Sequence, residues 1–169
     1  MKALVEKATS GEISDAEKLT QGLENFYLHD KLPYDVSDVN ILTTGTYSQR
    51  LTYRILYRTN YSDYRVLANN LLSTQNYSFA MNALSLQNGE YITDIYFDFG
   101  TVPVGFQSVT QPTLTVSVSP TVTNGYYLTN RADAGGKYGG TWQTANASWI
   151  TIVRNLTPVR VVLLPKTGY

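Results

Sequence analysis

Leu51-Thr52-Tyr53-Arg54-Ile55-Leu56-Tyr57-Arg58 carries the clearest strand pattern of this chain. Successive side chains of an extended chain point to opposite faces of a sheet. One face of this stretch therefore carries Leu51, Tyr53, Ile55 and Tyr57, and the other carries Thr52, Arg54, Leu56 and Arg58. The alternation predicts a β-strand with one face in the core and the other mostly in water.

Similar runs continue along the rest of the chain. In Thr113 to Val118 the same two-residue period separates three apolar side chains from the polar ones between them. Glycine, asparagine and proline mark turns between the runs. The candidate strands are 23–29, 39–42, 51–58, 64–68, 76–79, 91–99, 113–118, 125–134, 148–155 and 159–163. Strands at this spacing predict an all-β fold, an antiparallel two-sheet sandwich.

Two segments depart from the strand pattern. Lys2 to Glu24 is helix-like, because it holds most of the glutamates and Ser14 precedes Glu17 at a capping-box spacing, but it equally fits a frayed first strand. Residues 135–140, Gly-Gly-Lys-Tyr-Gly-Gly, predict a mobile loop. We therefore expect an N-terminal segment or partial first strand in residues 1–24, a sandwich domain in 25–163 and a tail in 164–169.

Composition limits the classes of function. The 169 residues suffice for one domain, and 13 basic residues balance 13 acidic ones, so no global field steers the chain to nucleic acid or an anionic membrane. Cysteine is absent, which excludes disulfides and thiolate metal sites. No apolar run has the roughly twenty residues of a membrane span, and the N-terminus lacks a signal-peptide core. We expect an excised fragment that inserts into no membrane and needs no cofactor.

The end of the chain carries the sharpest motif. Sortase transpeptidases cleave the pentapeptide Leu-Pro-x-Thr-Gly between Thr and Gly. It is matched by Leu164, Pro165, Lys166, Thr167 and Gly168. Only Tyr169 follows, whereas the usual signal continues into an apolar span and a basic tail. The alternative interpretation is a solvated tail in which proline stops the last strand.

Further stretches add to this motif: Asn25 to Pro33, Asn40 to Tyr57, Glu90 to Gly105 and Gly125 to Gly136. In their order, these stretches and the pentapeptide resemble a domain of Firmicute cell-wall-anchored proteins, related to conserved-repeat adhesin and pilin-like modules. The resemblance implies an immunoglobulin-like or pilin-like β-sandwich that serves as a stalk or adhesin module and is not an enzyme. The chain departs from the family at its N-terminus, where a longer Lys-bearing strand is usual.

The same resemblance implies a site inside the sandwich. Related modules form an internal amide between a strand Lys and an Asn, assisted by a buried carboxylic acid. By position Asp30 corresponds to the acid and Asn130 to the acceptor, and Lys7 or Lys18 would supply the amine. Burial favours this chemistry because it lowers the pKa of a Lys and raises that of an Asp. The alternative is that the acid caps a turn and the amide bonds to backbone.

Aromatic side chains form a second candidate site. Tyr138, Trp142 and Trp149 flank the glycine-rich segment, where exposed rings would stack on sugars or anchor a protein partner. The alternative is that they belong to the core and to cross-strand pairs.

Other polar groups are weaker candidates. His29 is the single histidine, and without a nucleophile elbow we expect it to be a structural residue at a strand end. Oxygen ligands of Asp35, Asp38 and Asn40, with Asp30 nearby, could hold calcium but lack EF-hand spacing, so a polar turn is the ordinary interpretation and no metal is expected. Asp94 and Asp98 share one strand face, yet a glycosidase needs a second carboxylate across a cleft.

We therefore expect a non-catalytic module of a Gram-positive surface protein, extracellular and anchored to the cell wall, that spaces or presents an adhesive region. Its partners would be a sortase and either cell-wall peptidoglycan or another surface subunit. One alternative is a ligand-binding adhesin domain that recognises a glycan or a host matrix protein through the aromatic, glycine-rich segment. Another is a carbohydrate-active enzyme.

Overall fold

The computed structural model describes residues 22–33, 36–118, 125, 127–152 and 160–162, and the long elements among them are β-strands. A short 3₁₀ helix, Met81–Ala83, lies between the sixth and seventh strands. In chain order the strands are β1 Leu23–Lys31, β2 Val36–Thr43, β3 Thr46–Tyr47, β4 Thr52–Thr59, β5 Arg65–Leu72, β6 Ser78–Ala80, β7 Ile92–Val102, β8 Ser108–Thr110, β9 Thr113–Val118, β10 Tyr127–Tyr138, β11 Thr141–Ile152 and β12 Arg160–Val162.

The strands form two main sheets, and the described strand pairs are antiparallel. The larger sheet has six strands in the order β11-β10-β1-β7-β4-β5, the smaller has four in the order β12-β9-β2-β6, and β3 pairs with β8. Leu28 and Phe97 of the larger sheet and Leu42 and Leu114 of the smaller belong to one cluster of buried side chains. The two sheets therefore enclose one core, and the predicted antiparallel all-β sandwich is confirmed.

The stretch Leu51 to Arg58 forms most of β4, which lies between β7 and β5. Its buried side chains are Tyr53, Ile55 and Tyr57, which alternate with more exposed neighbours as the two-residue period predicts. The ring of Tyr53 stacks on Phe99 of β7 with 4.7 Å between centroids. Burial of one such side chain stabilises a fold by roughly 1.5–3 kcal/mol, so this face of β4 fixes its position in the sheet.

The short pair β3 and β8 completes the aromatic part of the core. Phe106, just before β8, is fully buried, and its ring stacks on Tyr47 of β3 with a centroid distance of 5.3 Å. Gly45 makes the connection from β2 to β3, with φ at +70° and the position of a Cβ only 2.3 Å from the carbonyl oxygen of Thr110. Glycine is the residue that fits this left-handed, crowded position.

The prediction of a mobile loop at residues 135–140 is wrong. Residues up to Tyr138 belong to β10, residues 139 and 140 form a tight turn, and β11 begins at Thr141. A Cβ on Gly135 would lie 2.7 Å from the carbonyl oxygen of Gln143. Glycine here permits close approach of neighbouring strands, which is a different reason from loop flexibility.

The N-terminal segment lies almost entirely outside the described residues. Of the expected helix-like stretch, Gly22, Leu23 and Glu24 are described, and the last two belong to β1. The expected division of the chain at residues 24 and 163 stays a prediction. Within the described ranges, no helix has the length and apolar character needed to cross a membrane.

Candidate functional site

The outer face of the six-stranded sheet gathers polar side chains from neighbouring strands. The register places Asp133 of β10 opposite His29 of β1, and His29 opposite Tyr96 of β7. The adjacent row contains Arg131 of β10, Lys31 of β1, Asp94 of β7 and Arg58 of β4. Beside them runs a groove of about 660 Å³, whose lining includes His29, Lys31, Arg131, Asp133, Asn146 and Ser148.

His29 bridges two carboxylates on this face. Its Nδ1 lies 2.7 Å from Asp133 Oδ1, and its Nε2 lies 2.6 Å from Asp94 Oδ2. Asp94 also accepts a hydrogen bond of 2.7 Å from the hydroxyl of Thr93. An ionised carboxylate only accepts hydrogen bonds, so both ring nitrogens donate and the arrangement suits the imidazolium cation. His29 thus ties β1 to β10 and to β7.

The electrostatics of this bridge agree with a charged imidazole. Burial lowers the pKa of His29, but hydrogen bonds to Asp133 and Asp94 outweigh burial and raise that pKa above its ordinary value. Burial raises the pKa of Asp133, and the hydrogen bond and charge of His29 reverse that effect, so that the pKa is lowered overall. Each partner therefore favours the charged form of the other.

Aromatic rings cross the same face of the sheet. The rings of Trp142 on β11 and Tyr27 on β1 meet edge to face with 6.2 Å between centroids. Tyr27 stacks on Tyr96 of β7 at 5.2 Å, and Tyr96 meets Tyr64, just before β5, at 5.6 Å. Trp142 is 50% exposed and Tyr64 is 39% exposed. We call Trp142, Tyr27, Tyr96 and Tyr64 the aromatic track.

A second polar pair lies on the opposite, buried side of the same strands. Asn130 of β10 donates a hydrogen bond of 3.1 Å from Nδ2 to Asp30 Oδ2 of β1, and the two residues are only 1% and 2% exposed. Burial raises the pKa of Asp30 to about 7, against the opposing effect of the bond from Asn130. Burial therefore favours the neutral carboxylic acid. This pair joins the predicted acid and the predicted acceptor.

The structure places the other predicted residues unevenly. Lys7, Lys18 and the pentapeptide Leu164 to Gly168 lie outside the described residues. Tyr138 packs half-buried against the core. Lys137 holds its ammonium 5.2 Å from the ring centroid of exposed Trp142. The backbone of Trp149 lies opposite that of Asn130 in the β10–β11 pair.

The remaining candidates have other partners. Asp98 accepts a hydrogen bond of 2.8 Å from Arg54 Nε, and Asp94 belongs to the His29 bridge, so these two acids are not a pair of facing carboxylates. Asn40 donates to the hydroxyl of Ser117, and Asp35 lies outside the described residues. Within the part of the chain that the structure describes, no group of three or more His, Asp or Glu side chains could hold a metal ion.

The His29 bridge was missed by sequence reasoning, which assigned His29 to a strand end. Its two partners lie 65 and 104 residues away in the chain, and only the strand register brings them together. The available signal was that His29, Asp94 and Asp133 each fall within a predicted strand.

Comparison with known proteins finds no matching family model, no matching curated protein and no matching solved structure. The resemblance to cell-wall-anchored modules therefore stays a prediction from the sequence motifs.

Proposed function

We propose that the chain is a non-catalytic stalk or spacer module of a Gram-positive cell-surface protein, stabilised by an internal amide bond and anchored through its C-terminal pentapeptide. In this proposal the protein is extracellular and is the substrate of a sortase rather than an enzyme. The observation that carries the proposal is the buried hydrogen bond between Asn130 and Asp30.

The geometry of this pair suits amide formation. Asp30 Oδ2 contacts Asn130 Nδ2, which is the nitrogen that must leave when an amine attacks the side-chain amide. The raised pKa of Asp30 makes neutral carboxylic acid available to protonate that nitrogen. The second oxygen, Oδ1, has no hydrogen-bond partner among the described residues, and a buried oxygen of this kind favours a donor. The N–H of an approaching, neutral lysine amine would supply that donor.

The reaction balances without an external reagent. A neutral Lys amine attacks Cγ of Asn130, a new C–N bond forms, the Cγ–Nδ2 bond breaks, and ammonia leaves with the proton relayed by Asp30. The described lysines do not fit the role, since Lys31 is exposed and Lys137 lies over Trp142. The amine is assigned, as the sequence suggested, to Lys7 or Lys18.

The expected benefit is mechanical. A bond from the N-terminal segment to β10 would close a long loop covalently, and such a cross-link reduces the conformational freedom of the unfolded chain. In a stalk module under tension, such a covalent cross-link would prevent the chain between the two bonded residues from being extended.

Intact mass spectrometry tests the amide directly. The protein should weigh less than its sequence by one ammonia molecule, and Asp30→Ala and Asn130→Ala should each restore the full mass. Asn146→Ala, at an exposed Asn of β11, is the matched control and should keep the deficit. Lys7→Arg and Lys18→Arg identify the amine. A full mass in the unaltered protein would contradict the internal tie.

The anchoring step has an independent test. A sortase should cleave after Thr167, release Gly168-Tyr169 and transfer the remainder to a glycine-based amine, a change visible in the same mass spectrum. Thr167→Ala should abolish transfer, whereas Lys166→Ala, at the variable position of the motif, should permit it. Transfer that persists in Thr167→Ala would refute this assignment whatever the outcome for the amide.

A further inference from the structure

We propose that the outer face of the six-stranded sheet binds an acidic polysaccharide, whose sugar rings contact the two exposed ends of the aromatic track, Trp142 and Tyr64, while its anionic groups pair with Lys31, Arg58 and Arg131. This site lies on the sheet face and extends from β11 to the β4–β5 hairpin. It is separate from the buried amide pair and does not depend on wall anchoring.

The first argument is the continuity of the aromatic track. Its successive ring centroids lie 6.2, 5.2 and 5.6 Å apart, and both end members, Trp142 and Tyr64, are exposed. Exposed apolar side chains that border polar groups on one face mark a binding surface when they form a patch. The flat C–H faces of sugars match exposed rings, and two such rings at opposite ends of the track suit a chain of several sugars rather than a single one.

The second argument is charge. The row of Arg131, Lys31, Asp94 and Arg58 contains one acid, and Asp94 is buried and bonded to His29 and Thr93. Among the described residues the three cations have no ion-pair partner and all are exposed. Neighbouring strands are about 4.8 Å apart, so the cations form a line across the sheet. In a chain with no net charge this local excess favours an anionic ligand.

The third argument is the polar lining beside the rings. Asn146 and Ser148 of β11 border the groove, and their amide and hydroxyl groups both donate and accept hydrogen bonds, as sugar hydroxyls do. The His29 bridge holds β1, β7 and β10 together under the track. A preorganised surface loses less conformational entropy on binding.

Nucleic acid is a less fitting ligand for the same face. Two of the four rings, Tyr27 and Tyr96, are half-buried and stacked face to face, so neither can intercalate between bases. Binding of nucleic acid is therefore an outcome that would overturn the proposal.

Titration calorimetry with the full chain tests the site. The probes are octasaccharides of hyaluronan and of chondroitin sulfate, with cellohexaose as the neutral sugar and oligothymidylate and polyglutamate as the anionic non-sugars. We expect at least one acidic octasaccharide to bind more tightly than every other probe, and to bind more weakly as salt is added.

Exposed positions allow variants that should leave the fold intact. Trp142→Ala and Tyr64→Ala should each weaken binding roughly three- to tenfold through loss of a stacked ring. Arg131→Gln and Lys31→Gln should weaken binding and reduce its dependence on salt. Tyr91→Ala and Arg50→Gln, at an exposed Tyr and an exposed Arg that belong to no strand and do not line the groove, are the matched controls and should bind as the unaltered protein does.

Several results would overturn the proposal. These are no heat with either acidic octasaccharide, equal affinity for cellohexaose, tighter binding of oligothymidylate or polyglutamate, or an equal loss of affinity in the control variants. Circular dichroism of each variant verifies that a loss of binding is not a loss of fold.

Discussion

Asp30 should make the stability of the protein depend on pH, and Asp30→Asn should remove that dependence. The carboxyl group is 2% exposed, and burial raises its pKa from 3.8 to about 7. Because the pKa in the folded protein is above that in the unfolded chain, the neutral acid favours folding. This contribution is complete below pH 3.8 and is lost as the pH rises through about 7. The pKa difference corresponds to about 4 kcal/mol.

Urea denaturation from about pH 4 to about pH 9 measures this effect. Asn is isosteric with Asp and can still accept the bond from Asn130, so the two proteins should have similar stability at low pH. The variant should become the more stable one at high pH. Both proteins should carry Lys7→Gln and Lys18→Gln, which separates this titration from the proposed amide.

A matched variant sharpens the comparison. Asp38→Asn removes a carboxylate at an exposed position of β2 and is the control for loss of one negative charge. The reasoning would be refuted if the stability difference between Asp30→Asn and the unaltered protein were constant from low to high pH, since a buried acid must then have an ordinary pKa.

Three further substitutions test separate parts of the structure. His29→Gln should lower the free energy of unfolding by about 1 kcal/mol near pH 5.5 and by less near pH 9, as measured by thermal melting. Because the pKa of His29 is raised in the folded protein, its contribution to stability is complete below pH 6.5 and is lost as the pH rises through the folded pKa. A larger loss of stability at high pH than at low pH would contradict this. Phe106→Ala should lower the free energy of unfolding, measured in urea, by about 3–5 kcal/mol. Val109→Ala, at a side chain that is 59% exposed, should change it little. Similar losses of stability in the two variants would contradict the burial of Phe106 in the core. Gly45→Ala should destabilise the protein by at least about 1 kcal/mol more than Gly139→Ala. A Cβ at position 45 would meet backbone atoms, whereas a Cβ at position 139 would meet nothing within 4 Å. Equal melting temperatures of the two variants would contradict this, because the turn at Gly45 would then relax to accept the Cβ.

Sequence alternation was sufficient to predict the strands that bury one face over several residues. The period in Thr113 to Val118 corresponds to β9, which has those bounds, and its apolar residues are the buried ones. The pair β3 and β8 was not predicted because strands of two and three residues are too short to show a period. Their place comes instead from packing of Tyr47 and Phe106, which a sequence pattern does not report.

The sites were predictable to different degrees. Asp30 and Asn130 were named together through a family resemblance, and they are 100 residues apart in the chain. Residue pattern alone would not have paired them, since a buried acid and a strand Asn are individually ordinary. The grouping of polar and aromatic side chains on the outer face was missed because it depends on the order in which strands from distant parts of the chain lie side by side. Local sequence periodicity does not predict that order.

The separation of the two sites depends on an irregularity in β1. Leu23 is buried, Glu24 and Asn25 are both exposed, and from Phe26 onward the buried side chains fall on even numbers. Asn25 has φ at +51°, and the register with β10 shifts between Glu24 and Tyr27, which describes a β-bulge that changes the face of every later residue.

Without this bulge the alternation begun at Leu23 would turn Tyr27, His29 and Lys31 into the core and Asp30 into water. The bulge therefore sets both arrangements at once. It places the imidazole of His29 between two carboxylates on the exposed face of the sheet, and it places the carboxyl group of Asp30 beside Asn130 in the buried core. His29 and Asp30 still interact electrostatically across the strand. Burial raises the pKa of Asp30, and the charge of His29 partly opposes that increase. A ligand that altered the charge of the outer face would thereby alter the acid in the core.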